Sequence, residues 1–205
     1  MHPVLGVVLS YLAGSIPFAY LAGKSRGVDL REHGSGNLGA TNAMRVLGPA
    51  IGGLVYLGDT LKGLLPVLLL PRVVSTTRPD LWAIAFGVAA IIGHVRPIFL
   101  MGKGGGKGVA TAGGVFLGLA WLPTTIALAV FAIVLAVTRI VSIASLLAAM
   151  SLPIALFVWA GPRAPLFIVS FAMTLFVVWT HRSNIGRLRR GEEPRIGRKA
   201  QVPAQ

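Results

Sequence analysis

The chain has 205 residues, of which 55% are hydrophobic and only 12% are charged, and its mean hydropathy is +0.78. These values lie well outside those of an average soluble domain, so they exclude an ordinary water-soluble enzyme. Cysteine is absent, which excludes disulfides, a thiolate nucleophile and a cysteine metal site. The chain is therefore predicted to be an integral membrane protein.

The first predicted span, residues 3–23, has 21 residues without a charge, enough for about 30 Å of helix. It lacks the basic start and cleavage region of a signal peptide, so we expect it to stay in the mature protein. Further spans are predicted at residues 50–71, 80–101, 108–122, 123–138, 143–160 and 165–181. Pro123 is the main reason for dividing residues 108–138, and both resulting segments are shorter than the roughly 20 residues that a perpendicular helix needs. The expected fold is all-α, with seven transmembrane helices in a single domain over residues 1–205, and six helices as the alternative.

The positions of Lys and Arg predict the orientation of these spans. With seven spans, sixteen of the 19 basic residues share one side, and the other side holds Arg72, Arg78 and Arg163. Because positively charged loops stay in the cytoplasm, the N-terminus should lie outside and the C-terminus inside. The net charge of +13 mostly reflects this asymmetry, so we expect no nucleic-acid partner. Anionic lipid headgroups are the expected partner of the basic tail at residues 181–205.

The segment after the first span, EHGSGNLGATNAMRVLG at residues 32–48, is crowded with glycine, hydroxyl and amide residues. Glycines let backbone amides turn toward a ligand, and an arginine near the start of the next helix would add positive charge for an anion. A flexible turn with helix-capping residues is the alternative. GSGNLG also matches a dinucleotide fingerprint, but a membrane helix precedes it where that fingerprint needs a strand. The candidate phosphate-binding residues are Gly34, Ser35, Gly36, Asn37, Gly39, Thr41, Asn42 and Arg45.

A second glycine-rich segment, GKGGGKG at residues 102–108, precedes a predicted helix. It differs from a Walker loop because Gly108 replaces the Ser or Thr and Met101 replaces the first glycine, so nucleotide hydrolysis is not expected. Two lysines on a backbone with almost no side chains suit a second anion site, with a merely flexible basic loop as the alternative. The candidate residues are Lys103, Gly104, Gly105, Gly106 and Lys107.

The predicted topology brings both segments to one face of the membrane, together with TRIVSIAS and HRSNIGRLRRGEE. These last two segments add Arg139, Ser142, His181 and Asn184 to the candidate site. Two phosphate-binding loops on one face indicate two phosphorylated groups, or one group held from two sides.

The ordered set GSGNLGATNAMRVLG, GH, KGGGKGVAT, TRIVSIASL and HRSNIGRLRRGEE, with Asp59 and Lys62 in GDTLKG, resembles the bacterial acyl-phosphate:glycerol-3-phosphate acyltransferases, the PlsY family. The resemblance covers nearly the whole chain. It implies a seven-helix enzyme of the bacterial inner membrane, with its active site facing the cytoplasm and no metal or cofactor. The implied reaction moves an acyl group from acyl phosphate to the 1-hydroxyl of glycerol 3-phosphate, an early step of phospholipid synthesis that gives lysophosphatidic acid and phosphate.

The resemblance also implies roles for individual residues. Ser35, Arg45, the loop lysines, Ser142, His181 and Asn184 match positions that hold the two phosphorylated substrates, and His181, Asn184 and Ser142 are the catalytic candidates. The family has K-G-G-K where this chain has three glycines between Lys103 and Lys107, so the lysine that contacts phosphate stays open. The proton is expected to go to the substrate's own phosphate, with His181 as the rival base because imidazole titrates near neutrality. For Arg139, anchoring in a positive cytoplasmic loop is the alternative to substrate binding.

Three ionisable residues fall inside predicted spans or at their ends. Asp59 and Lys62 are three residues apart on one helix, where a mutual ion pair is the favoured interpretation. His94 is expected to be structural, because a hydrogen-bonding role at a helix end would suffice for it.

Two other classes of protein remain as alternatives. One is a transporter for an organic phosphate, which should show repeated halves and interrupted helices at the bilayer midplane. The other is a membrane protein that binds such a ligand without turnover.

Overall fold

The computed structural model describes residues 1–162 and 164–196, and within these ranges the fold is entirely helical. Arg163, and Arg198 and Lys199 of the predicted basic tail, lie outside the described residues. The described α-helices are α1 Pro3–Ser15, α2 Phe18–Lys24, α3 Ala40–Leu47, α4 Pro49–Leu69, α5 Pro79–Val95, α6 Val109–Leu119, α7 Trp121–Thr138, α8 Val141–Ala160, α9 Pro165–Thr180 and α10 Arg182–Arg189.

Five stretches are long and apolar enough to cross a membrane, namely residues 3–24, 49–72, 79–100, 121–138 and 141–160. Helices α9 and α10 would make a sixth span if they count as one helix bent by 56°. Helix α6 has only 11 residues, which is about 16 Å of helix against a hydrocarbon core of about 30 Å. The prediction of an all-α membrane protein is thus confirmed, whereas the count of seven spans and the orientation of the termini stay predictions.

The chain forms two compact units, residues 1–124 and the residues from 125 onward, and each is described by itself. In unit 1, α1 packs on α5 and α4 packs on α3, α5 and α6. Glycines allow the backbones to touch at two of these crossings. A Cβ on Gly14 would collide with the Ala90 carbonyl, and one on Gly63 would collide with the Thr111 carbonyl. Small residues at such crossings are typical of membrane helices. The expectation of one domain over residues 1–205 stays a prediction.

In unit 2, α8 packs on α9, and α10 follows α9 after a bend. Thr174 on α9 donates from its hydroxyl to the Ala149 carbonyl of α8 over 2.6 Å, a polar contact between apolar helices. His181 lies at the bend, where it is both the C-terminal capping residue of α9 and the N-terminal capping residue of α10.

The glycine content of residues 32–48 predicted a single flexible loop. The second half of this segment is instead helix α3. Gly39 caps the start of α3 and Gly48, with φ +92°, ends it. Ala, Met, Arg and Leu between these glycines favour a helix, and Ala43 is fully buried against Leu30, Leu38 and Val55. Tertiary packing therefore orders a stretch that the glycine content alone marked as flexible.

Pro123 was expected to begin a helix, and it lies instead in the first turn of α7, which begins at Trp121. Proline is well tolerated in a first turn because the amide hydrogen it lacks would have no partner in the helix there. The break between α6 and α7 falls at Ala120, so the predicted division of residues 108–138 is correct within three residues.

Candidate active site

Asn42, in the first turn of α3, holds the loop before that helix. Its Oδ1 accepts from the Ser35 amide at 2.8 Å. Its Nδ2 donates to the carbonyls of Leu30 at 3.1 Å and His33 at 3.0 Å. Since the side chain is 1% exposed and both of its N–H donors are used, its position favours shaping the loop over gripping a phosphate. The loop at residues 30–39 is therefore a hydrogen-bonded structure rather than a flexible turn.

Two glycines of this loop have backbone conformations that residues with a side chain rarely adopt. Gly34 has φ +64° and Gly36 has φ +69°, in the left-handed region that costs other residues roughly 1–2 kcal/mol. A Cβ on Gly34 would also collide with Oδ1 of Asn42. The side chain of Ser35, between them, is exposed, Asn37 and Thr41 are half-buried, and Gly39 is the capping residue of α3.

Arg45 lies in the last turn of α3 and, as expected, close to a helix start, because α4 begins four residues later at Pro49. The negative end of the α3 dipole and the positive end of the α4 dipole therefore meet at Gly48, just after Arg45. The side chain is exposed, and no carboxylate pairs with it within the described ranges. Arg31, by contrast, binds Asp29 with Nε to Oδ1 and to Oδ2 both at 3.0 Å, and that contact lowers the pKa of the Asp29 carboxyl to about 2. Arg45 is thus the cation of this segment to which an anionic ligand could bind.

The second loop lies on the end of α5 and against the first loop. A Cβ on Gly105 would collide with the Val95 carbonyl, and one on Gly106 would collide with the His94 ring and lie 3.0 Å from the Leu38 carbonyl. A Cβ on Gly104, which has φ +72°, would lie at ordinary contact distance from the side chains of Arg31 and Leu38, at 3.4 and 3.5 Å. Unit 1 therefore brings the two predicted phosphate loops together, as the sequence analysis expected.

The two lysines of the second loop have different surroundings. Lys103 is exposed, and no carboxylate pairs with it in the part of the chain that the structure describes. Lys107 is half-buried and has a polar or electrostatic contact of its own. Gly108, with φ +84°, caps the start of α6, so backbone amides point toward the loop there.

In unit 2, His181 is 4% exposed and its Nδ1 lies 2.8 Å from the Val177 carbonyl. A carbonyl oxygen only accepts, so Nδ1 carries the hydrogen of this bond and Nε2 is the basic nitrogen of the neutral ring. Ser142 is buried in the first turn of α8, and Asn184 is buried on α10.

Glu193 joins several of these residues and was not singled out from the sequence. Asn184 Nδ2 donates to its Oε1 at 2.5 Å and Arg187 Nε to its Oε2 at 2.7 Å. Burial alone would raise the pKa of the Glu193 carboxyl, but the donors Asn184 and Arg187, together with the nearby Ser142 hydroxyl, lower it. The signal in the sequence was an acidic pair inside a basic tail, RRGEEPR, in a chain with only six acidic residues.

Arg139 lies in the turn between α7 and α8 with φ +60°. Its carbonyl accepts from the Ile196 amide at 2.8 Å, so the segment after α10 is fastened to this turn. A left-handed arginine is strained by about 1–2 kcal/mol relative to its usual backbone, and strained residues often occur at functional sites.

Comparison with known proteins adds a family to this geometry. The family model described as glycerol-3-phosphate acyltransferase matches residues 4–191. The chain belongs to this family. A glycerol-3-phosphate acyltransferase of Prochlorococcus marinus (strain NATL1A) is 44% identical over 198 residues, which is 95% of this chain and 98% of the relative. One from Geobacter sulfurreducens is 45% identical over 197 residues, 96% of this chain and 98% of the relative.

Solved structures of a family member have the same fold. The crystal structure of PlsY (YgiH), an integral membrane glycerol 3-phosphate acyltransferase, in its glycerol 3-phosphate form, aligns with TM-score 0.88 and 36% identity, covering 95% of this chain and 96% of that one. Its lysophosphatidic acid form aligns with TM-score 0.84, also at 36% identity. The chain is thus a multi-pass membrane acyltransferase, and the resemblance seen in its motifs is confirmed.

Proposed function

We propose that this acyltransferase moves an acyl group from acyl phosphate to the 1-hydroxyl of glycerol 3-phosphate, releasing lysophosphatidic acid and inorganic phosphate. The glycerol 3-phosphate and lysophosphatidic acid forms of the related PlsY structures support this acceptor and this product. The choice of acyl phosphate as donor rests on the family resemblance, and the observation that supports two phosphorylated substrates is the contact between the two glycine loops at Gly104, Gly106 and Leu38. Two adjacent loops, each with an exposed cation that no carboxylate among the described residues neutralises, suit two phosphorylated substrates better than one.

Because acyl phosphate is already activated, the protein has mainly to align the two substrates and to stabilise negative charge. The hydroxyl oxygen attacks the carbonyl carbon, the carbon–oxygen bond to phosphate breaks, and phosphate leaves as the anion. The enzyme must hold the hydroxyl on the carbonyl and stabilise the developing oxyanion and the leaving phosphate. Arg45 and the loop lysines would neutralise the phosphates. Ser35 would supply a hydroxyl donor, while its own amide donates to Asn42 and the Gly36 amide donates to the His33 carbonyl, which hold the loop in shape.

The hydroxyl proton has two possible acceptors. The substrate's own phosphate is one, and Nε2 of His181 is the other, since Nδ1 is already used by the Val177 carbonyl. Ser142 and Asn184 are proposed to contact substrate beside His181, with Arg139 as a further phosphate-binding cation. We also propose seven spans in the bacterial inner membrane, on hydropathy and the family resemblance, and an external N-terminus with an active site facing the cytoplasm, on the distribution of basic residues.

A turnover assay on the purified chain in detergent tests the proposal. Phosphate should be released from acyl phosphate only when glycerol 3-phosphate is present, in step with the formation of lysophosphatidic acid. Acyl carrier protein and coenzyme A thioesters, offered in parallel, should give no product. Product from a thioester alone would overturn the donor, and uptake of glycerol 3-phosphate into vesicles without acylation would indicate a transporter.

A further inference from the structure

Three ionisable side chains meet in the interior of unit 1. Asp59 and Lys62 on α4 and His94 in the last turn of α5 are 2%, 6% and 5% exposed. Lys62 Nζ lies 2.7 Å from Oδ1 of Asp59 and donates to the Ile16 carbonyl at 2.8 Å, where α1 ends. The predicted Asp59–Lys62 pair is therefore confirmed. Nδ1 of His94 lies 3.5 Å from the same Oδ1.

Lys62 already neutralises Asp59, so the ion pair does not need His94. Nδ1 of His94 makes no hydrogen bond within the described residues. A buried polar atom without a partner costs stability, and an apolar side chain of similar size would avoid that cost. The 3.5 Å contact with Asp59 is therefore only a weak stabilising reason for a histidine at this position.

The other edge of the His94 ring meets the second glycine loop. A Cβ on Gly106 would collide with Nε2 and Cε1 of His94, and a Cβ on Gly105 would collide with the backbone at residues 94 and 95. The ring thus stands between the Asp59 carboxylate and the loop backbone. Gly105 and Gly106 lie between Lys103 and Lys107, so a shift of the backbone at these glycines moves both cations.

We propose that His94, backed by Asp59 and Lys62, is a positioning residue that sets the height of the loop at residues 103–107 against the phosphorylated substrate. The identity of the substrate in this inference rests on the proposed function, whereas the contact of His94 with the loop does not. A small displacement of a binding group is enough to slow a reaction that depends on alignment. His94 is buried and its ring lies against Gly106 of the loop, so its effect on the substrate passes through the lysines.

The first experiment separates positioning from folding. His94→Leu fills the same space and removes the unpartnered nitrogen, so the thermal unfolding midpoint should be equal to or above that of the wild type. Turnover with glycerol 3-phosphate and acyl phosphate should nevertheless fall by about tenfold or more. The control Ser10→Ala removes a hydroxyl that is 0% exposed and donates to the Gly6 carbonyl within α1, and its turnover should match the wild type. Unchanged turnover in His94→Leu overturns the proposal.

A double-mutant cycle tests the contact directly. Gly106→Ala should lower turnover because its Cβ collides with the His94 ring. In a His94→Ala background that space is open, so the same change should cost several-fold less, as expected for contacting residues. Losses that simply multiply would show that the ring does not set the loop, and would overturn the proposal.

A labelling measurement is independent of catalysis. The chain has no native cysteine, so Lys103→Cys gives a single thiol on the loop. Its rate of reaction with a maleimide should change at least about threefold when His94→Leu is added, and should not change with Ser10→Ala. An unchanged rate overturns the positioning role, whatever the turnover. A wild type that acylates no glycerol 3-phosphate overturns the proposed function instead, and the labelling rate still decides the role of His94. If His94→Leu does not fold, His94→Gln takes its place in both arms.

Discussion

At Arg45, the effect of the shape of the cation on phosphate binding can be separated from the effect of its charge. A guanidinium can bind two phosphate oxygens at once, whereas an ammonium is a point charge on a different stem. We expect Arg45→Lys to lower kcat/KM for glycerol 3-phosphate about 10- to 100-fold, the loss of one charged hydrogen bond of about 1.5–3 kcal/mol. Membrane insertion should be unchanged, because the side chain is exposed at the end of α3.

Arg72→Lys is the matched control, since Arg72 is an exposed arginine at the end of a helical segment and outside the candidate site. It should keep wild-type kinetics. If Arg45→Lys also keeps the wild-type rate and half-saturation, Arg45 does not bind a phosphate.

His181 decides between two proton acceptors. If the substrate phosphate takes the proton, His181→Ala should lower kcat by less than the factor of about 10²–10⁴ that loss of a general base produces. The pH–rate profile of the variant should then keep the shape of the wild-type profile. Loss of the limb near neutral pH, together with a fall over that whole range, identifies His181 as the base. Because His181 also bonds to the Val177 carbonyl at the bend, rates are compared per folded protein.

At this scale the sequence predicted residue types better than residue roles. Asn42 was placed among phosphate-binding residues because amides bind phosphates, but the three backbone groups that it bonds come from residues 30–35. No spacing rule connects it to those groups, since the loop path that brings them together is set by Gly34 and Gly36. Glu193 was missed for the same reason, because its donors Asn184 and Arg187 reach it only after the chain turns beyond α10.

The contact of Glu193 with α10 should make the segment after that helix sensitive to acid. Its carboxyl has an ordinary pKa of 4.5 and a lower one in the folded protein. The stabilisation is therefore fully present above pH 4.5 and is lost as the pH falls through the folded-state pKa. At pH 7, Glu193→Gln should lower the free energy of unfolding by about 1–3 kcal/mol, and the difference from the wild type should shrink below pH 4.5. Chemical unfolding at several pH values measures this.

The neighbouring Glu192→Gln is the matched control. Glu192 pairs with Arg190 at the surface, where both side chains are more than half exposed, and such pairs contribute about 0–1 kcal/mol. A Glu192→Gln variant that loses as much stability as Glu193→Gln would contradict the special role of the buried carboxylate.

The turn between α7 and α8 allows a test of strain against function at Arg139. Glycine relieves the left-handed backbone by about 1 kcal/mol and costs about as much through the freedom it adds to the unfolded chain. Arg139→Gly should therefore change the free energy of unfolding by less than about 1 kcal/mol, while turnover falls about tenfold or more if the guanidinium binds a phosphate. Unchanged turnover would leave Arg139 as an anchor in a positive loop. Arg139→Val, a β-branched control, should be clearly less stable.

Two features of the helices were not predicted from the sequence, namely the presence of α3 and the residue at which α6 ends. Hydropathy locates apolar segments well, but α3 is only eight residues long and amphipathic, so its signal was lost beside the glycines. Helix α6 begins at Val109, after the capping residue Gly108, and ends where Ala120 leaves the helical conformation. The sequence around Ala120 holds no strong helix breaker apart from Pro123, which is why the predicted boundary fell at that proline.

The orientation in the membrane can be tested on the whole molecule by labelling single cysteines in intact cells. Ser35 and Ser183 are exposed in the segments predicted to be cytoplasmic, and Ser75 is exposed in the first segment predicted to be external. With an impermeant maleimide, Ser75→Cys should react in intact cells, and Ser35→Cys and Ser183→Cys should react only after the membrane is opened. The reverse pattern would contradict the predicted topology.

At the scale of the molecule, composition predicted the membrane setting and the order of motifs predicted the family, because both are properties of the sequence itself. The number of spans is harder to predict. An apolar helix can be shorter than the hydrocarbon core, as α6 is, and an apolar helix can continue across a bend into a polar one, as α9 does into α10. Hydropathy averages over both cases.

The pair of charges on α4 has a consequence for how the protein is made. A charged residue in the middle of an inserting helix costs about 2.5–3.5 kcal/mol on the scale of the insertion machinery, and α4 carries two such residues. Because Asp59 and Lys62 lie one turn apart, with 2.7 Å between their charged atoms, α4 brings its own counterion. It can enter the lipid as a neutral segment before the ribosome has synthesised the helix that carries His94. Asp59→Asn would leave Lys62 without its counterion at that moment, so its defect should arise during biosynthesis, as poor integration by the translocon, before catalysis is ever at issue.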